Sequence, residues 1–196
     1  IKPFQVGDVL KSVRAELDPQ RHLVCSVITG VTLSDLQGLA GSAFPTVRAM
    51  PNTAIAIQES MTCICSRNTD AEQQGYIRDL FEQLGRVAMV EEKLMDAATV
   101  LGACGTAYAM RYIRANIQGG IEIGFDAATA SLIAAQTVKG AAELLLQRGT
   151  HPEYEIDKVT TPKGCTIAGL NEMEHQGFSS SLIKGIAASY DKISKP

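Results

Sequence analysis

The spacing of apolar residues changes character along this chain, and each change marks an element. From Val6 to Leu17 the residues Val9, Leu10, Val13 and Leu17 recur at helical spacing. His22 to Ile28 is instead a β-branched apolar run closed by Thr29-Gly30, the pattern of a strand buried on both faces. A short helix is predicted next, from Ser34, which is placed to cap it. Thr46–Met50 reads as a strand. Ala54–Gln58 and Met61–Ser66 read as two more, with Glu59-Ser60 as the turn between them. Asp70 then caps a helix running to about Leu84, with Tyr76, Leu80, Phe81 and Leu84 on one face, and Gly85 stops it. Val87–Val90 is a last short strand. Strand–helix–strand alternation at this spacing predicts βαβ units.

After Glu91 the period is helical throughout. Helices are predicted over Leu94–Ala103, over Tyr108–Gln118 ending at Gly119-Gly120, and from the cap Asp126 to about Arg148. Two more cover Gly164–His175 and Ser179–Ile193. The chain therefore divides into an α/β part, residues 1–90, and an all-α part, residues 91–196. The second part is rich in Ala and Gly, which lets helices approach closely. Its apolar positions, among them Leu132, Ile133, Val138, Leu145 and Leu146, are many for so few helices. That predicts burial against a second copy, although a compact bundle accounts for the same pattern.

Charge and composition narrow the function. The formal net charge is −3 and the basic residues are dispersed, with no basic stripe for a nucleic acid. Trp is absent, which removes the best stacking platform for single strands. No run of ~18 apolar residues exists to span a membrane. No signal peptide is visible, yet Ile1-Lys2-Pro3 has neither a Met nor a cap before it, so the true N-terminus is expected upstream. The five cysteines form no CxxC pair and have no His at metal-ligand spacing. They read as reduced thiols of a cytoplasmic protein, with no metal site.

Ligands of an α/β sheet bind at the carboxyl ends of its strands. Here those ends are Ile1-Lys2-Pro3, Val27-Ile28-Thr29-Gly30 and Met50-Pro51-Asn52-Thr53. Three consecutive strand ends with turn-forming or hydrogen-bonding residues point to a ligand as readily as to ordinary turns. No GxGxxG follows a strand, and the glycine-rich Leu101–Thr106 follows a helix, so it is not a phosphate loop. Its expected task is to let a helix start approach a backbone or a ligand. In Val159-Thr160-Thr161-Pro162-Lys163-Gly164-Cys165-Thr166, Thr161 suits an N-cap and Pro162 the first helical position. Free N–H groups there would favour an anion, with the Thr166 hydroxyl beside them. Residue pattern alone reads first as a plainly capped helix. His22, His151 and His175 look structural, and none completes a catalytic triad. Glu91-Glu92 reads as a solvated pair.

Taken in order, these motifs resemble pyrroline-5-carboxylate reductase. The likeness rests on Ile1-Lys2-Pro3, Arg48-Ala-Met-Pro-Asn52-Thr53, Glu91-Glu92 with Leu94-Met-Asp96-Ala97, and Gly105-Thr106-Ala107-Tyr108-Ala109. It continues through Thr160-Thr-Pro-Lys-Gly164-Cys-Thr166-Ile-Ala-Gly-Leu170 and Gly177-Phe178. The resemblance implies a Rossmann-like remnant followed by an all-α dimerisation domain of the 6-phosphogluconate-dehydrogenase C-terminal kind. Family members open with a strand and GxGxxG ahead of the position matching Ile1. It implies NADPH or NADH as cofactor, held by Ile1, Lys2, Pro3, Val27, Ile28, Thr29, Asn52 and Lys158. The substrate, 1-pyrroline-5-carboxylate, would lie against Glu92, Gly164, Cys165 and Thr166, with Thr166 carrying the reaction. A homodimer is implied, and higher assembly such as a decamer is open to it. Two departures stand out: Lys163 replaces the first glycine of Pro-Gly-Gly, and Gly105-Thr106 stands for Gly-Pro.

The implied reaction is hydride transfer to the C=N carbon, giving L-proline. The iminium already carries its electrophile, so binding and orientation should dominate. Two alternatives remain. A β-hydroxyacid dehydrogenase needs a lysine on the helix after the glycine-rich turn, which here reads Tyr108-Ala-Met-Arg111-Tyr-Ile-Arg114. The other is a helical dimerisation module that has lost its nucleotide fold and would turn over no imine.

Overall fold

A computed structural model describes residues 1–194. They form two compact units, each taken by itself: residues 1–106 with the stretch from Ile186 onward, and residues 107–185.

The first unit is built on a four-stranded sheet whose spatial order follows the chain: β1 (Val24–Ser26), β2 (Thr46–Met50), β3 (Ser60–Arg67) and β4 (Gly85–Met89). β1 and β2 are parallel, as are β3 and β4, with Ser26 beside Arg48 and Ser60 beside Gly85. Parallel neighbours need a crossover, which α2 (Leu33–Ala40) and α3 (Ala71–Glu82) supply. Both expected βαβ units are thus present, joined by an antiparallel pair that sets Arg48 opposite Cys65.

The joint departs from the sequence reading. Ala54–Gln58, expected as a strand, lies in a 3-10 turn over Thr53–Ile57. Asn52 caps that turn by accepting from the Ala54 N–H, and Gln58 ends it in the left-handed region at φ 61°. A short apolar run does not separate strand from turn by periodicity, and the capping residue decides it here. The start of α2 also shifts. Thr32, not Ser34, is the cap, in a reciprocal pair with Asp35, whose carboxyl the Thr32 hydrogen bonds hold below its usual range.

β2 is buried at every position, which makes it the centre of the core. Val47 and Ala49 join Ile64 against Ile77 and Phe81 of α3. On the opposite face Met50 and Cys65 pack with Val6 of α1 (Val6–Val13), Leu33 and Leu36 of α2, and Met95 of α4 (Met95–Ala98). Burial of side chains such as Leu33 and Leu36, each 2% exposed, stabilises by roughly 1.5–3 kcal/mol apiece. Because Met95 belongs to this core, the compact unit runs past Val90 as far as Thr106. α4 continues without a break into a π-helical segment, Thr99–Cys104, and then into α5 (Gly105–Glu122). The glycine-rich Leu101–Thr106 is therefore a widened stretch of helix rather than a loop.

The second unit holds most of α5, then α6 (Ala127–Arg148), α7 (Pro152–Lys158), α8 (Cys165–His175) and the start of α9 (Phe178–Ser194). α5 passes through Gly119-Gly120, where an end was expected. A Cβ on Gly120 would stand 3.2 Å from that of Ala130, so the glycine serves close packing of α6. Asp126 caps α6 through the N–H groups of Ala128 and Thr129, as its position predicts. Met110, Ile123, Phe125, Leu132 and Leu146 stay exposed and leave this unit with a broad apolar surface. Among the described residues no helix is long and apolar enough to cross a membrane.

Candidate functional site

The carboxyl ends of β1 and β2 form one edge of the sheet, and the expected cofactor residues Val27, Ile28, Thr29 and Asn52 follow those ends. Val27 is 56% exposed, Ile28 packs against the core, and the Thr29 hydroxyl donates to the Met50 sulfur at 3.9 Å. Gly30 follows at φ 79°, a conformation that favours glycine. Asn52 stands at the end of β2, and its Nδ2 donates to the Gly102 carbonyl at 3.2 Å. The π-helical segment thereby joins the strand ends. Ile1, Lys2 and Pro3 are exposed, and the Lys2 N–H is taken up by Gln5 Oε1 at 2.7 Å.

Glu92, expected at the substrate, is bonded within the unit by both carboxylate oxygens. Oε1 accepts from the N–H of Leu33 at 2.6 Å and from Arg48 at 3.4 Å. Oε2 accepts from Arg67 at 2.9 Å. One carboxylate thus ties the start of α2 to the neighbouring strands β2 and β3. Arg48 has a side chain only 5% exposed, and its Nε finds no partner among the described residues. Sequence reasoning passed over both arginines; a charged residue inside the apolar strand Thr46–Met50 was the available signal, since a buried charge needs a partner.

In the second unit Thr160, Thr161 and Thr166 separate in role. Thr160 donates its hydroxyl to the Ile156 carbonyl at 2.7 Å, which ends α7. Thr161 is not the cap. Its carbonyl accepts from the Gly164 N–H at 2.9 Å, closing a turn with Pro162 and Lys163 in the middle. Gly164 is the N-cap of α8 and, being glycine, offers no side-chain acceptor, so the first N–H groups of α8 are uncapped by side chains. A Cβ on Gly164 would overlap the Thr161 hydroxyl, which explains glycine at that place. Cys165 is exposed and Thr166 half-buried. The Thr166 hydroxyl has no partner among the described residues.

Lys163 occupies the third position of this turn at φ 57°, where glycine is favoured. Replacing Lys163 by Gly removes the left-handed strain and is expected to stabilise the protein by ~0.5–1 kcal/mol, net of the entropy glycine adds to the unfolded chain. A rise in the urea midpoint at constant slope is the measurement, and a fall refutes it. Lys158, expected at the cofactor, is held at home. Its ammonium bonds Glu155 at 2.9 Å and lies 4.0 Å from the centre of the Tyr154 ring. That bond, with those from Thr150 and Arg148, keeps the Glu155 carboxyl below its usual range. Burial raises the Cys63 and Cys65 thiols above their usual range, so these are poor nucleophiles near neutrality. No group of three or more metal-ligating side chains occurs among the described residues.

A mixed sheet covered by helices on both faces, followed by an apolar all-helical unit, is the build of a Rossmann-like remnant with a helical dimerisation domain. The model of the pyrroline-5-carboxylate reductase dimerisation family matches residues 92–195. Pyrroline-5-carboxylate reductase 1 of Dictyostelium discoideum is 47% identical over 204 residues, 98% of this chain and 37% of the relative. Pyrroline-5-carboxylate reductase 2 of the same organism is 44% identical over 210 residues, 100% of this chain and 70% of the relative. The chain belongs to the pyrroline-5-carboxylate reductase family. It spans little more than a third of the first relative's length. Among solved structures, the Coxiella burnetii pyrroline-5-carboxylate reductase superposes with a TM-score of 0.94 at 26% identity, over 100% of this chain and 73% of that one. The Plasmodium falciparum pyrroline carboxylate reductase with NADP bound gives 0.88 at 27% identity, over 98% of this chain and 77% of that one.

Proposed function

We propose that the protein reduces 1-pyrroline-5-carboxylate to L-proline with NADPH or NADH, as a homodimer formed through its helical half. The observation that carries this reading is the open start of α8, where Gly164 caps without a side chain and Thr166 keeps a free hydroxyl. Uncapped N–H groups at a helix start suit a carboxylate, and the dipole adds ~0.3–1 kcal/mol near the surface. Gly164 and Cys165 would supply backbone contacts and Thr166 a hydroxyl donor. When bound, the nicotinamide would supply the hydride; the C=N electrons go to the pyrroline nitrogen, which already carries its proton as the iminium and becomes the amine of proline. The chain's own work is to clamp and orient.

The strand ends fit such a cofactor. Gly30 and Gly102 each have open space where a Cβ would stand, so ligand can approach backbone at both. Val27, Ile28 and Thr29 would line that edge, joined by Ile1, Lys2 and Pro3, with the Asn52 amide engaged behind them by Ala54 and Gly102. Lys158 would need to leave Glu155 to reach a cofactor. Glu92, with both oxygens engaged, supports the site as a scaffold. The exposed apolar side chains of the second unit support pairing with a second copy. The cytoplasmic placement expected from the thiol composition stays part of this proposal. α5 offers no lysine to a hydroxyacid, which leaves the dehydrogenase alternative without its proton donor.

Thr166→Ala in the full-length protein is expected to lower kcat/KM for the imine by ~1.5–3 kcal/mol, roughly ten- to hundredfold, through one lost charge-assisted bond. Thr166→Ser should keep most of the activity. The rate of imine-dependent NADPH oxidation reads both, and an alanine variant within twofold of wild type removes Thr166 from the clamp.

A further inference from the structure

The side-chain amide of Asn52 is used at both ends inside the first unit. Its Oδ1 accepts from the Ala54 N–H at 3.0 Å, and its Nδ2 donates to the Gly102 carbonyl at 3.2 Å. An N–H on one side and a carbonyl on the other fix which end of the amide is which. The backbone N–H of Asn52 donates to the Ser60 hydroxyl at 3.1 Å, and Ser60 pairs with the buried Thr62 hydroxyl. Asn52 is therefore held from behind while it reaches forward.

What it reaches is unusual. Gly102 lies in the π-helical segment, where the Gly105 N–H bonds back five residues to the Val100 carbonyl. The Gly102 carbonyl also faces the Thr106 hydroxyl at 3.4 Å. A Cβ on Gly102 would meet nothing, so packing does not require glycine there, although glycine weakens a helix interior. The neighbouring Leu101 is 70% exposed. π-helical turns within α-helices cluster at functional sites. Its first residues, Thr99 and Val100, are buried, and the Asn52 side chain ties its middle to the sheet edge where α/β folds take their ligands.

We propose that Asn52 is a positioning residue: it serves the reduction through Gly102, by holding the π-helical turn at the strand ends, and not by contacting the cofactor. The inference rests on the reductase reading above. Asn52→Asp keeps an acceptor for Ala54 and removes the donor to Gly102. Asn52→Ser keeps a capping hydroxyl but is too short to reach Gly102. The first test is hydrogen exchange in the full-length protein. In both variants the amides of residues 99–106, Gly105 above all, should exchange at least tenfold faster, while those of β2 and β3 stay unchanged. Unchanged exchange at Gly105 overturns the tether whatever the enzyme does with an imine.

The second test is steady-state kinetics with NADPH and pyrroline-5-carboxylate. The kcat of both variants should fall tenfold or more, with KM for NADPH within threefold of wild type. A tenfold rise in that KM with kcat retained makes Asn52 a direct cofactor ligand and overturns the proposal. If neither variant folds, Asn52 is a residue of the fold and the proposal falls. A wild-type protein that turns over no imine defeats the reductase reading and this inference with it, an outcome told apart because the unmutated protein is itself inactive.

Discussion

Glu92→Ala is expected to lower the unfolding free energy by about 3 kcal/mol, near the lower end of what breaking a buried ion pair costs. The reason is what remains behind. Arg48 would keep its charge with a side chain 5% exposed, its Nε already lacking a partner among the described residues. The N–H of Leu33 and the guanidinium of Arg67 would each lose an acceptor as well. Glu92 is itself 25% exposed, so water recovers part of the loss. Urea unfolding of the full-length protein is the measurement. Removing the stranded charge gives the internal check: Arg48→Met in the Glu92→Ala background should recover a large part of the lost stability. If the double variant is no more stable than Glu92→Ala, the buried charge is not the cause.

Gly85→Ala is expected to be more damaging still. Gly85 opens β4 at φ 139°, outside the range that a side chain tolerates well. A Cβ there would overlap the nitrogen and carbonyl oxygen of Ser60, its partner on β3. Those are backbone atoms, and no rotamer change relieves the overlap. Moving them would disturb Ser60, whose hydroxyl accepts from the Asn52 N–H. A loss of roughly 4 kcal/mol or more, in the range reserved for strain at special backbone positions, removes much of a typical domain's stability. The expected result is a thermal midpoint lowered by roughly 8–16 °C or more, or failure to accumulate folded protein. A melt within 3 °C of wild type, followed by circular dichroism, refutes it.

Where the sequence was a good guide, the deciding signal was local. The strand Thr46–Met50 and the caps Asp70 and Asp126 each depend on residues within one turn of themselves. Where it misled, either a local bond that the apolar pattern hides or a distant packing partner decided. Ala54–Gln58 is an apolar run like a strand, but Asn52 bonds the Ala54 N–H and curls the segment into a turn. Gly119-Gly120 looked like a helix end because the close approach of Ala130 was not visible. Thr161 looked like the cap of α8 because its turn with Lys163 needs a left-handed lysine, a conformation that residue type argues against.

The candidate site divides in the same way. The strand-end residues Thr29 and Asn52 and the open helix start at Gly164 follow from motif and spacing. The partners of Glu92 do not: Leu33, Arg48 and Arg67 are far from it in the chain, and only folding brings them to one carboxylate. Asn52 and the glycine-rich stretch that holds Gly102 stand out separately in the sequence, but their bond is a fact of three dimensions.

The π-helical segment Thr99–Cys104 carries a consequence for how members of this family can differ. Such a turn holds one residue more than an α-turn and takes up that residue with almost no rotation of the helix that follows. Loss of a single residue within Thr99–Cys104 would close the turn to ordinary α-helix and leave Met110 and Tyr112 near their present azimuth. The same loss within α5 would instead turn every later side chain by about 100° around the axis. Chain length should therefore be held more strictly in α5 than in the π-helical segment. A one-residue gap in a relative would signal a lost π-turn when it falls before Gly105 and a changed helix face when it falls after.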